Sequence, residues 1–335
     1  MSKMVWFRRE KLGLASARGP SYWLNNDATA KVKRRMGGYI GVHAGYIRND
    51  MLHRMEFDNE KDWLIRWGCT SRTENIDLDR QLNKSHAISE VGYKRDFRIK
   101  CRKELYEYTP LTAINNNEVE WFFAIYPEKQ MVVRPAKHAQ GKHVFLVGSS
   151  DEFAACLRDN ARVLAAGWYA SEYIHKVSEY RYYVVEGRIV SVAEKIPENP
   201  DAIAWNVAQG GEFKVTRWDD WNLDGAKAAI EAFDITELDF CGVDIMFDKE
   251  GHPYVIEINS APSLPLHENG KVSYRQVCMA KSFLWIAVHG KGAVTPVQQY
   301  DGWRDVIHPA LWRPKEERGD FEEQVKERMN LPMVA

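Results

Sequence analysis

The chain has 335 residues, 28% of them charged and 45% hydrophobic, and its 46 Lys and Arg nearly balance 47 Asp and Glu. This is globular composition with room for two or three subdomains, and a net charge of -1 gives no general pull toward nucleic acid or membrane. No apolar run approaches ~20 residues, the start MSKMVWFRRE lacks a signal-peptide core, and the five cysteines show no C-x-x-C spacing. Reduced thiols in the cytoplasm follow as the expectation, without a disulfide framework or a zinc site.

In chain order, residues 1 to about 75 mix Gly-rich turns with short apolar stretches, and Trp63 to Gly68 reads as a strand ending at a turn. From Leu82 to Leu105 the pattern is helical, with Phe97, Cys101 and Leu105 recurring every four residues and Pro110 closing the segment. A short helix is predicted over Glu118 to Ile125, then strands at Met131 to Arg134 and Val144 to Val147. Ser150 or Asp151 is placed as the cap of the next helix. Tyr169 to Ile174 reads as a strand, Tyr180 to Lys195 as a hairpin around Glu186-Gly187, and Asp224 to Phe233 as a helix. Phe240 to Ile258 is a second hairpin, 272–288 an apolar helix, and the tail beyond about 291 is polar with a charged helix around Phe321 to Met329. Strands and helices mix without a βαβ rhythm, so α+β subdomains are predicted.

The second hairpin carries the chemistry. Glu257 and Asn259 stand two residues apart on a strand and so share a face. Any antiparallel register whose paired numbers sum to an odd value puts Asp244 on that face too. In the register where Asp244 opposes Glu257, their β-carbons are ~5 Å apart. Two carboxylates that close repel unless a cation lies between them, and hard oxygen donors with open positions suit Mg²⁺. Taken alone, the hairpin is equally a solvated sheet face; Asn259 and the small turn Ser260-Ala261-Pro262-Ser263 favour the metal.

Asp244, Glu257-x-Asn259 and the Ser-Ala-Pro turn resemble the metal-binding end of the ATP-grasp superfamily, nearest to its RimK-type and glutathione-synthetase-like ligases. Other segments are similar to that family in the same order. MVVRPAKHAQGKHVFLV resembles its phosphate-covering strand-loop-strand, with Arg134 where Lys is more common, Lys142 in the loop, and His143 where a second Gly is common. YASEYIHKVSEYRYYVV resembles the adenine-binding hinge. The resemblance implies ATP contacts from Glu172, from the backbone of Tyr173 and Ile174, and from Glu179 at the ribose. It also implies that Arg181 and Lys195 face phosphate, and that Asn206 with Gly210-Gly211 lines the reaction site. One basic residue of KRDFRIKCRKEL would reach the phosphates; Arg95, Arg98 and Lys100 remain alternatives.

The resemblance implies an ATP-grasp fold, two α+β subdomains clasping ATP, with a short N-terminal α/β region and a C-terminal extension. The corresponding division is an acceptor-side region over 1–80, linker helix and lid over 81–175, catalytic core over 176–290, and extension over 291–335. The implied reaction joins a carboxylate to an amine through an acyl-phosphate, with ATP split to ADP and phosphate. Arg181, Lys195 and Asn206 would serve catalysis; Asp244, Glu257 and Asn259 would hold two Mg²⁺ ions, with Mn²⁺ as a substitute. The partners are a small-molecule, peptide or protein-tail carboxylate and an amine acceptor, and a homo-oligomer is compatible. Nucleic acid and membrane are not expected, since no aromatic stacking pattern accompanies the basic helix. An ATP-grasp phosphotransferase and a non-catalytic ATP-binding module are the alternatives.

Overall fold

The structure is a computed structural model, and it describes strands at 3–8 and 43–48 and residues 62–68, 70, 76–137, 143–205, 210–216, 220–263, 282–283, 286 and 290–292. The expected helices over 272–288 and 321–329 lie outside the described residues.

Three sheets organise the chain. Strands β1 (Lys3–Arg8), β2 (His43–Arg48), β3 (Asp62–Trp67) and β4 (Gln81–Leu82) form a parallel sheet in the order β2-β1-β3-β4, the α/β region expected at the N-terminus. The next strands are β5 (Thr112–Ala113), β6 (Met131–Pro135), β7 (Phe145–Val147) and β8 (Trp168–Glu172). They make an antiparallel lid sheet in the order β5-β8-β6-β7. The third sheet contains β9 (Ser178–Val185), β10 (Arg188–Ile196), β11 (Glu212–Val215), β12 (Phe240–Phe247) and β13 (Pro253–Asn259), in the order β11-β10-β9-β12-β13.

Local chemistry explains the element ends. The β9–β10 connection is Glu186-Gly187, with φ of 47° and 70°. Positive φ at both residues is the twist-matched geometry of a two-residue hairpin loop. Helices α1 (Ser85–Gly92) and α2 (Lys94–Glu104) occupy the segment read as one helix, broken at Tyr93 with φ -90° and ψ 84°. Helix α3 (Asn116–Ile125) starts at Asn115, whose side chain accepts from the Glu118 N–H, while Glu118 accepts from the Ile114 N–H at 2.9 Å. The same reciprocal cap opens α4 (Ser150–Asp159): Ser149 accepts from the Glu152 N–H, and Glu152 accepts from Gly148. The cap is therefore Ser149, one residue before the predicted candidates, because only from there does the hydroxyl reach the third N–H of the helix. A four-residue helix, α5 (Ala161–Leu164), follows, and α6 (Leu223–Asp234) is capped by Asn222.

Each antiparallel sheet buries one face. On the third sheet Tyr182, Val184, Val192, Val243, Ile245, Phe247 and Ile258 pack against Ala226, Ala229, Ile230 and Phe233 of α6. Ala87, Ile88, Val91, Phe97 and Cys101 of α1 and α2 join the same cluster. The lid has its own core of Val119, Phe122, Met131, Val133, Phe153, Leu164 and Ala170. Period-2 alternation then leaves Glu179, Arg181, Lys195, Asp244, Glu257 and Asn259 for the opposite face of the third sheet. It leaves Arg134 on the lid face away from the lid helices.

Candidate active site

Register builds the site. Asp244 pairs directly with Glu257 on one side and with Arg181 on the other. Arg181 pairs with Ala193, which places Lys195 one pleat further along the same face. Gly242 pairs with Asn259. The odd-sum register expected for the hairpin is thus present at Asp244, although the ladder slips by one residue at a bulge between Asp244 and Ile245.

The turn after Asn259 is small because it is crowded. A β-carbon on Gly242 would stand 2.7 Å from Pro262 Cβ and 3.1 Å from Arg181 Cδ, and one on Gly68 would stand 2.9 Å from Ala261 Cβ. The Tyr183 hydroxyl donates to the Ser263 carbonyl at 2.8 Å. Ser260 to Ser263 is therefore wedged between the N-terminal sheet and the charged face, which explains why alanine and proline stand there.

The charged groups form one connected network. Arg181 donates from Nε to Asp244 Oδ1 at 2.6 Å and from Nη2 to Oδ2 at 2.8 Å, and its guanidinium lies 4.9 Å from the Phe213 ring centroid. Lys195 donates to Asp244 Oδ2 at 2.8 Å and also to Glu179 Oε1. The Asn259 amide sits 3.4 Å from Asp244 Oδ2. Burial alone would push the Asp244 carboxyl up, but Arg181 and Lys195 outweigh it and hold the group below the usual carboxylate range. At Glu257 burial again pushes upward, and Lys94, Lys195 and the Asn259 amide pull it well below that range. Burial also works against the charge of Lys195, yet Asp244 and Glu179 raise its pKa.

Lys176 was not singled out by the sequence reading. It is half-buried, donates to Glu179 Oε2 at 2.5 Å and to the Ile203 carbonyl at 3.2 Å, and lies 4.6 Å from the Trp205 ring centroid. Burial lowers its pKa against the pull of Glu179, with Lys195 and Arg134 adding to the lowering. A lysine in a linker carries no pattern of its own, so only the fold could reveal it. Glu179, expected at the ribose, is held in this structure by two lysines.

The hinge supplies an amide edge. Glu172 N–H donates to Leu111 O and Tyr173 N–H to Gln130 O at 2.8 Å, which ties both residues to the lid. Ile174, the other residue expected at the adenine edge, is buried. The Glu172 carboxylate is ion-paired with Lys129 at 2.6 Å. His143 has φ of 57°, a conformation glycine adopts without penalty, as its place in the loop implies. Lys142 and Asn206 lie outside the described residues. Gly210 has φ of 85°, and a β-carbon there would overlap the Glu198 carboxylate.

The three basic alternatives of α2 separate cleanly. Lys100 pairs with Glu90 at 2.7 Å, and Arg98 donates to the carbonyls of Val255 and Ile256. Arg95 donates to the Trp168 and Ile114 carbonyls, beside the lid strand that carries Arg134. The residue of this helix that reaches the acidic face is Lys94, 3.6 Å from Glu257 and 3.0 Å from the Ile258 carbonyl.

The donors present fit a hard divalent cation: two carboxylates on adjacent strands and an amide, all oxygen donors on one face. Among the described residues no three His, Cys, Asp or Glu side chains cluster as a metal site. No described helix is long and apolar enough to cross a membrane.

Residues 109–274 match the family model described as a RimK-like ATP-grasp domain. The chain carries a RimK-like ATP-grasp domain. Solved ATP-grasp ligases share the fold. An ATP-grasp ligase associated with RiPPs from Chryseobacterium gregarium, complexed with ADP and with a leader and core peptide, is 14% identical over 86% of this chain and 97% of its own, with a TM-score of 0.56. The ATP-grasp ligase PsnB, complexed with a phosphomimetic variant of a minimal precursor, Mg and ADP, is 12% identical over 86% of this chain and 99% of its own, also at 0.56. The D-alanine–D-alanine ligase of Bacillus anthracis, complexed with ATP, is 14% identical over 86% and 98% at a TM-score of 0.54. No curated protein sequence matches the chain. The ATP-grasp domain puts the chain in the class of ATP-grasp ligases, which form carbon–nitrogen bonds.

Proposed function

We propose that this ATP-grasp protein is a carboxylate–amine ligase that works through an acyl-phosphate and releases ADP and phosphate. The observation that carries the reading is the shared face of Arg181, Lys195, Asp244 and Glu257, which sets two cations and two carboxylates side by side on adjacent strands. A carboxylate resists attack by an amine because its leaving group is poor. Attack of a carboxylate oxygen on the γ-phosphorus of ATP expels ADP and leaves an acyl-phosphate, whose leaving group is good. The amine then attacks the carbonyl carbon, loses a proton, and displaces phosphate.

This chain's residues act by positioning and electrostatics. Ile174 N–H and Tyr173 C=O present a donor and an acceptor to the adenine edge, and Glu179 lies on the following strand for the ribose. Arg134 and Lys142 are assigned to the phosphates. Arg181 and Lys195 lie on the core face, where charge spreads over the transferring group. Asn206 and the Gly210-Gly211 amides hold the tetrahedral carbon's oxygen. Asp244, Glu257 and Asn259 would hold two Mg²⁺ ions, which supply charge neutralisation at the phosphates. The division at 80, 175 and 290 assigns the N-terminal sheet, where a β-carbon on Gly68 would crowd Ala261, to the acceptor side.

Two of the three ligases described above are complexed with a precursor or with leader and core peptides. A peptide or protein-tail carboxylate is accordingly the first donor to try, with amino acids and polyamines as acceptors, in a cytoplasmic setting where ATP is supplied. The test is release of ADP and phosphate with MgATP against such pools. Acceptor-dependent release of both, with a mass gain equal to condensation, supports the ligase. ADP with a phosphorylated product and no free phosphate replaces it with a phosphotransferase.

A further inference from the structure

Residues 197–205 lead from the end of β10 into Asn206. The segment folds on itself. Ala202 N–H donates to the Asn199 carbonyl at 3.1 Å, Asp201 N–H to the Asn199 side chain at 3.0 Å, and Trp205 Nε1 to the Pro200 carbonyl at 3.2 Å. Trp205, the residue before Asn206, is buried.

Lys176 reaches this loop from the hinge, ahead of β9. Its ammonium donates to the Ile203 carbonyl at 3.2 Å and to Glu179 Oε2 at 2.5 Å, and lies 4.6 Å from the Trp205 ring centroid. The side chain itself is only 9% exposed, so these partners replace water around the charge. The other oxygen of Glu179 accepts from Lys195, which also bonds Asp244. Glu179 thus stands between a lysine of the reaction face and a lysine that holds the loop.

The two holds on Lys176 compete. The short charge-assisted bond to Glu179 is the stronger, and the bond to Ile203 lies at the long end of the N–H···O range. A ribose hydroxyl donating to Glu179 gives the carboxylate a further donor and weakens its grip on the lysine. The ammonium then closes on the Ile203 carbonyl and the indole face.

Resting on the readings of Glu179 at the ribose and Asn206 at the reaction site, we infer that Lys176 is a positioning residue that couples the two: a bound ribose tightens the 197–205 loop ahead of Asn206.

The test follows backbone hydrogen exchange of 197–205 in the full chain by mass spectrometry. Exchange is read without nucleotide, and with Mg²⁺ and saturating ADP or 2′,3′-dideoxy-ADP. In the wild type ADP should slow exchange about tenfold. Dideoxy-ADP keeps the base and phosphates but has no ribose hydroxyls, and should not slow it. In Lys176→Met the loop should exchange about tenfold faster than wild type without nucleotide, and ADP should no longer slow it. Lys176→Arg, which keeps a cation able to span both acceptors, should retain the slowing. No slowing by ADP in the wild type overturns the inference, as does equal slowing by both nucleotides or slowing that survives in Lys176→Met. If Lys176→Met unfolds, Lys176→Gln takes its place under the same criteria, and the comparison of the two nucleotides on wild type stands without any variant. Calorimetry separates the underlying reading: dideoxy-ADP that binds the wild type as tightly as ADP removes Glu179 from the ribose, whatever the loop does.

Discussion

Arg181 holds both oxygens of Asp244, at 2.6 and 2.8 Å, from the neighbouring strand, and Lys195 adds a third bond to the same carboxylate. Asp244 is therefore the anion that neutralises two buried cations, beside the metal-binding role proposed for it. Replacing it by Ala strands Arg181 in a buried setting and leaves Lys195 with Glu179 alone. The expected loss is about 3–5 kcal/mol of stability, read from urea unfolding, together with loss of ATP turnover.

Arg181→Lys keeps the charge and loses the fork. A single ammonium cannot bond both oxygens in parallel. Turnover should fall about 100-fold while the unfolding midpoint moves far less than in Asp244→Ala. Turnover equal to wild type would remove Arg181 from the catalytic set.

Metal and nucleotide should bind together. With both Asp244 oxygens covered by Arg181 and Lys195, a cation arriving alone must displace two positive charges; Lys195 keeps Glu179, but Arg181 is left without a hydrogen-bonded anion. Phosphates provide that anion. Mn²⁺ affinity should rise about tenfold or more when ADP is present, a coupling of ~1.4 kcal/mol or greater. Equal affinity with and without ADP would contradict the competition.

Asp244 and Glu257 both have folded pKa values below their ordinary range, mainly because neighbouring cations overcome burial. A depressed carboxyl stabilises the fold fully above its unfolded value of ~4. The contribution is lost as pH falls from there through the folded values. Stability should therefore be flat near neutrality and drop below about pH 4. Glu257→Gln, read by urea midpoints from pH 7 to pH 3, should show a shallower drop than wild type.

Two glycines are required for close approach. Gly242→Ala places a methyl 2.7 Å from Pro262 Cβ, and Gly225→Ala places one 2.5 Å from Phe247 Cζ and 2.4 Å from the Tyr182 hydroxyl. Each should cost about 1–3 kcal/mol. They should differ in function: Gly242→Ala pushes on the Arg181 stem and lowers turnover, whereas Gly225→Ala loosens α6 on the buried face and acts on stability. Equal turnover losses at matched stability would contradict the distinction.

The amino-acid sequence by itself determined the two hairpins, several of the other strands and the face the hairpins share. Alternation has a period of two, so Glu257 and Asn259 point together and an odd-sum register brings Asp244 to them, whatever surrounds the sheet. It also carried the ATP-grasp resemblance, because the acid-acid-amide set and the hinge lie in short contiguous segments. The break at Tyr93 and the cap at Ser149 were less legible, since helix ends depend on one or two dihedral angles. Only the tertiary structure decided which basic residue serves which acid. Arg98 and Lys100 have the same helical pattern as Lys94, yet one caps strand carbonyls, one pairs with Glu90, and Lys94 meets Glu257 across 163 positions of chain. Lys176 pairs with Glu179 only three residues away, but its contacts with the Ile203 carbonyl and the Trp205 ring come from the fold. A long flexible cation leaves no periodic signature, and its partner is set by which element packs against which edge.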